Sequence, residues 1–315
     1  MKIVTYSKNG SDLRLGILLD EKTIIDPQQA YVEKLNANGQ LRSEEIAKAL
    51  LPEDPTEFLA NGEVAFTKAE EAIEYGTAAK NTSSIYKIED VYIGAPILNP
   101  KKIICVGLNY HDHIKEMNRE VPKHPVIFAK FATAITGPND DFPLSEELTK
   151  KLDYEAEFAF VIGKRGKNIS QEDALDYVAG YTVVNDITAR DMQKRTIQWL
   201  QGKTLDKSLP MGPYLATKDE VPNIDNAAIT SKINGEIRQQ SNINQLVFTV
   251  PYLVEFLSHI MTLEPGDIIC TGTPGGVGEA QNKFLKAGDV VRVEIEGIGA
   301  IENKIVKELV KETVN

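Results

Sequence analysis

Cysteine is scarce in this chain: of 315 residues only Cys105 and Cys270 carry a thiol, each inside an apolar run. Neither belongs to a Cys-x-x-Cys pair, which argues against a thiolate zinc site. Two apolar free thiols fit a reducing compartment, and a disulfide between them is a question of geometry. Basic charge is also in deficit, with 35 Lys and Arg against 46 Asp and Glu and a net charge of −11. A nucleic-acid partner would need a clustered basic face, so that class is excluded. No apolar run approaches the ~20 residues that span a bilayer. The N-terminus, MKIVTYSKNGSD, lacks the apolar core of a signal peptide. The expectation is a cytoplasmic protein without membrane or nucleic-acid partners. No strand leads into Gly-x-Gly-x-x-Gly, which removes a dinucleotide fold. The Gly202-Lys203 pair has Ile197 where a phosphate loop needs glycine, so that motif fails too.

What remains is ordinary globular composition, 42% hydrophobic and 26% charged, in a chain long enough for one large and one small domain. The first ninety or so residues read as a small α+β unit. KIVTYS, RLGILLD and KTIID resemble short strands, and EEIAKALL and KAEEAIEYG are more helical, interrupted by the Pro52 to Pro55 loop. The segment Ile93 to Lys102, with Pro96 and Pro100, reads as a linker, giving domains 1–95 and 96–315. Beyond it KIICVG, PVIFAK, EAEFAFVIG, GYTVVND, DIICTGT and DVVRVEIEG read as strands. Helices are predicted at ISQEDALDYV, ITARDMQKRT and VPYLVEFLSHIM. Helices inserted among strands without strict alternation indicate α+β and not a doubly wound sheet.

The chemistry concentrates in a few segments. In KLDYEAEFAFVIG, Glu155 and Glu157 project from one strand face about 7 Å apart, while Tyr154, Ala156, Phe158, Phe160 and Ile162 form an apolar opposite face. Burying two such carboxylates costs several kcal/mol unless a cation or strong donors compensate. The alternative is a solvated face, at roughly even odds. GYTVVNDITARD ends a strand at Asp186, where a turn or cap is the plain role and a third ligand the functional one. Thr188 and Asp191 are spaced as a capping box. Three oxygen donors without His or Cys suit Mg²⁺ or Mn²⁺ better than Zn²⁺. In GLNYHDHIKEM, His113 and Glu116 lie one helical turn apart, the arrangement of an oriented general base, although a surface pair is the commoner reason for that spacing. His111, His124 and His259 have no such neighbour. TGTPGGVG, residues 271 to 278, is read as a tight turn with backbone donors near a ligand, or simply as a loop.

Taken together, G-L-N-Y-x-x-H-x-x-E at 107–116, D-Y-E-A-E at 153–157, N-D-I-T-A-R-D at 185–191, G-K at 202–203 and T-G-T-P-x-G-V-G at 271–278 resemble the fumarylacetoacetate hydrolase superfamily. The resemblance covers roughly residues 96 to 305, and the N-terminal unit looks like the extra domain of some members. It implies a mixed β-roll catalytic domain, usually homodimeric, with Mg²⁺ or Mn²⁺ on Glu155, Glu157 and Asp186. It further implies a catalytic His113–Glu116 dyad on a lid-like segment. Lys203, Arg190, Gln193 and Thr273 match ligand-site residues, with Lys130 a further candidate substrate contact. Phe131 departs from the serine or proline that relatives often place after that lysine. The implied substrate is a small keto acid. The leading expectation is hydrolysis of a carbon–carbon bond in an acylpyruvate-like diketo acid, with Lys203 assisting the enolate. Oxaloacetate decarboxylation and isomerisation of a 2-hydroxymuconate-type acid would use the same residues. A non-catalytic ligand-binding protein of the same fold is the alternative of a different class.

Overall fold

The computed structural model describes residues 1–79 and 82–308. Its frame is a large mixed sheet with strands in the order Ile85–Lys87, Thr23–Ile25, Arg14–Leu18, Lys2–Ser7, Leu209–Thr217, Val178–Asn185, Ala156–Ile162, Ile268–Cys270, Ile103–Gly107 and Val126–Lys130. The N-terminal strands therefore continue the main sheet, through the antiparallel pairing of Lys2 with Ala216 and Ile3 with Leu215. Ile93 to Lys102, read as a linker, is partly laddered: Tyr92–Gly94 pairs with Lys2–Ser7, and Ala95 and Ile97 are buried. A second sheet runs Glu236–Asn242, Ala228–Ile233, Val290–Ile295, Gly299–Lys307 and Phe142–Leu144.

The central strand Ala156–Ile162 is buried along its whole length because each of its faces meets a separate core. Phe158, Phe160 and Ile162 pack in a core shared with the second sheet and with Leu253, Val254 and Leu257 of the helix Val250–Ile260. Ala159 and Val161 point the other way, into a core closed by the N-terminal helices through Phe58, Leu59, Ala65, Ala69 and Ala72. Small residues on the helix Glu63–Ala78 allow that close approach: a Cβ at Gly76 would sit 2.5 Å from Ile25 Cδ1. The helix Pro27–Ala37 starts where Asp26 accepts the Gln29 amide at 2.9 Å and Pro27 supplies a preset first turn.

Several local expectations change. ISQEDALDYV keeps only a 3₁₀ turn over Ala174–Tyr177. ITARDMQKRT becomes a strand pair at Thr188–Ala189 and a single turn at Arg190–Gln193. The proposed capping box does not form. The Thr188 hydroxyl donates to the Asp186 carbonyl, and Asp191 accepts from Thr149 and the Lys150 and Met192 amides. Ladder pairing of Thr188 with Asp153 holds that backbone extended, so tertiary pairing overrides the local cap signal. Among the described residues no helix is long and apolar enough to cross a membrane.

Candidate metal and keto-acid site

The segment read as one strand from 151 to 163 is broken. Leu152–Asp153 pairs with Thr188–Ala189, the chain leaves the ladder at Tyr154 and Glu155, and the long strand begins at Ala156. In the gap the Glu155 amide donates to the Asn185 side-chain oxygen at 3.1 Å, and the Asp186 amide donates to the Glu155 carbonyl at 2.9 Å. This stitching brings two strand ends together where the carboxylates emerge. Glu155, Glu157 and Asp186 each place an oxygen within 4.8 Å of the other two. Their exposures are 5%, 1% and 0%, so the solvated reading of the glutamate face fails. The reason is visible along the strand: the same face continues into the core of Ala159 and Val161.

Three buried cations answer them. Lys203 Nζ donates to Glu155 Oε2 and Asp186 Oδ2, both at 2.6 Å. Lys130 Nζ donates to Asp186 Oδ1 at 2.7 Å. Arg190 reaches Glu155 Oε1 at 2.6 Å and Asp153 Oδ2 at 2.7 Å. With Asp153 included, four enclosed carboxylates face three cations, leaving one negative charge in excess. Of the four, Glu157 is the carboxyl least compensated by cations. Burial opposes charge on Glu155, but Lys203 and Arg190 outweigh it and hold the carboxyl at about 2. Burial, with Asp186 and Glu155 alongside, pushes the Glu157 carboxyl well above the usual range. Among the described residues the Glu157 carboxylate receives only the Gly272 amide, at 3.0 Å. Three converging hard oxygens with uncompensated negative charge fit a divalent cation, and this group could hold one.

His113 lies on the short helix His111–Glu116 and is 9% exposed. Its Nδ1 stands 3.6 Å from Glu116 Oε2, an ion-pair separation longer than a hydrogen bond. Burial opposes ionisation of Glu116, but His113 and the Gly276 amide outweigh it and keep the carboxyl below the ordinary glutamate range. His111, His124 and His259 are exposed. A cavity of about 560 Å³ brings His113, Glu155, Glu157, Arg190, Gln193, Lys203 and Thr273 to one space. Lys130 and Asp186 are not among its lining residues; Lys130 is fully enclosed and holds Asp186 from behind.

The glycines have local reasons. A Cβ at Gly202 would stand 2.4 Å from the Ala189 carbonyl, so this glycine lets the turn carrying Lys203 pack against Arg190–Gln193. The 271–278 loop, read as a tight turn with donors near a ligand or simply as a loop, places Gly272 and Thr273 on the cavity and directs its amides to carboxylates of the chain itself. Gly272 donates to Glu157, Gly275 to Asp112, Gly276 to Glu116 and Gly278 to Asp153. Thr273 donates to the Ala156 carbonyl and accepts from Gln239. Gln239 and Asp153 were not singled out by sequence. Asp153 shares the parity of Glu155 and Glu157, which was its available signal; Gln239 sits in the polar run EIRQQSN and had none. The two cysteines, register neighbours on adjacent parallel strands, are free and buried.

The chain is similar to known proteins in sequence and in fold. The family model described as fumarylacetoacetate (FAA) hydrolase C-terminal matches residues 102–306. The oxaloacetate tautomerase YisK of Bacillus subtilis is 42% identical over 298 residues, covering 92% of this chain and 95% of its own. The mitochondrial oxaloacetate tautomerase fahd2 of Xenopus laevis is 48% identical over 260 residues, 81% of this chain and 79% of its own. The solved fumarylacetoacetate hydrolase of the psychrophile Exiguobacterium antarcticum superposes with a TM-score of 0.77 at 32% identity, covering 98% of this chain and 100% of that one. The chain is a member of the fumarylacetoacetate hydrolase family.

Proposed function

We propose that this chain is a divalent-metal-dependent tautomerase that interconverts the keto and enol forms of oxaloacetate. The observation that carries the reading is the enclosed Glu155–Glu157–Asp186 cluster, whose Glu155 and Glu157 line the cavity that also holds His113. The names of the relatives direct it to oxaloacetate. Bound on that cluster, a divalent cation supplies Lewis-acid stabilisation of the negative charge that enolisation puts on the 2-oxo oxygen.

The remaining work falls to side chains. His113 takes a proton from the methylene carbon beside the 2-oxo group. The electron pair of the broken C–H bond becomes the C=C bond of the enol, and the His113 imidazolium returns the proton to the carbonyl oxygen. Glu116 stabilises the transient imidazolium and fixes the ring by facing Nδ1, leaving Nε2 for the substrate. The Lys203 ammonium, held at the cavity wall by Glu155 and Asp186, adds positive charge where the enolate oxygen forms. Gln193 and Thr273 offer polar contacts at the same wall.

Tautomerisation needs neither an attacking water nor a leaving group, so these residues suffice for it. Hydrolysis of an acylpyruvate and decarboxylation of oxaloacetate would require a further bond to break on the same cluster. The test is a panel with Mg²⁺ or Mn²⁺: oxaloacetate enol decay, oxaloacetate decarboxylation and acylpyruvate cleavage. Fast enol–keto conversion with slow cleavage supports the proposal. Efficient acylpyruvate cleavage without enol conversion contradicts it.

A further inference from the structure

We infer that Arg119 sets specificity by pairing with the far carboxylate of a four-carbon 2-oxo dicarboxylate, an inference that rests on the oxaloacetate reading above. Charge accounting leads to it. With Asp153, Glu155, Glu157 and Asp186 all ionised against Lys130, Arg190 and Lys203, the enclosed site has one excess negative charge, which a divalent cation would turn into one positive. The carboxylate next to the 2-oxo group neutralises that charge. A second carboxylate then leaves the site net negative unless a further cation meets it.

Most cations lining the cavity are already engaged. Arg190 is held by Asp153 and Glu155, and Lys203 by Glu155 and Asp186. Lys194 Nζ lies 2.5 Å from Glu279. Arg119 is exposed at the rim of the residues lining the same cavity, and among the described residues its guanidinium makes no hydrogen bond or ion pair. Its position is fixed by the dyad helix: the Arg119 amide donates to the Ile114 carbonyl at 3.0 Å, just past the turn at Asn118 with φ of +49°. Met117, Phe128, Ile197 and Trp199 make much of the surrounding wall apolar. A carboxylate there has Arg119 as its available partner, and a guanidinium binds carboxylates through paired, charge-assisted hydrogen bonds.

The test uses full-length Mn²⁺-loaded protein with Arg119→Gln and Arg119→Lys. Binding is read by calorimetry with difluorooxaloacetate, which cannot enolise, and with oxalate, which lacks the distal group. Arg119→Gln should weaken difluorooxaloacetate about 10–100-fold and leave oxalate within about 3-fold, the range of a lost charge-assisted pair. Arg119→Lys should recover part of the loss, since it keeps charge without the fork. For turnover, KM for oxaloacetate should rise with kcat nearly unchanged. Equal effects on both ligands, or no effect on either, overturn the inference. Absence of oxaloacetate turnover by the wild type with selective binding intact would instead overturn the proposed function.

Discussion

Glu155 touches two cations and Asp186 touches two, whereas Glu157 has none within ion-pair distance among the described residues. That asymmetry separates a cluster built for a further cation from one built only to be neutral. His113 supplies the complementary group, and His113→Ala should lower kcat about 10²–10⁴-fold while Mn²⁺ affinity stays nearly unchanged, as calorimetry would show. Glu116 adds a pH dependence. Because its folded-state carboxyl lies below the ordinary value of 4.5, its contribution to stability is present above that value and is lost as pH falls through the depressed one. Glu116→Gln should therefore flatten the acid limb of a melting-temperature profile and leave the neutral region nearly parallel to wild type. At this scale much of the site was legible, since carboxylates at strand ends stand out against apolar neighbours. Parity placed Asp153 beside the two glutamates, but its role as partner of Arg190, 37 positions away, has no local pattern in the sequence.

Among the elements, the glycine-rich loop carries a large share of the positioning. Its amides at Gly272, Gly276 and Gly278 fix carboxylates from the buried cluster, the dyad helix and the broken strand, so one loop positions three parts of the site. Gly276 has φ of +103°, and a Cβ there would stand 2.0 Å from the Arg238 carbonyl. Gly276→Ala should cost about 1–3 kcal/mol in denaturant unfolding and lower kcat by releasing Glu116. Gly235→Ala, at φ of +84° with open space around it, should destabilise mildly and spare kcat. Elements were legible where periodicity and environment agreed, as in Val250–Ile260. Leu209–Thr217 escaped because Pro210, Gly212 and Pro213 argue against a strand, yet pairing on both sides makes it one. The break after Asp153 was invisible because alternation continues through it.

For the whole molecule, the large sheet explains why a buried charge cluster is tolerated. Cores on both faces of Ala156–Ile162 hold the strand rigid, and the N-terminal strands extend that same sheet. The protein keeps three carboxylates together at an electrostatic cost, which a bound cation would offset and turn into catalytic field. The most direct measurement is the enzymatic rate of oxaloacetate enol–keto conversion, net of free metal, as Mn²⁺ is titrated into chelator-stripped protein. The rate should start near zero and saturate at one ion per chain, with no rise in Glu157→Ala. Stripped protein as fast as loaded protein, or a Glu157→Ala curve matching wild type, would contradict the account.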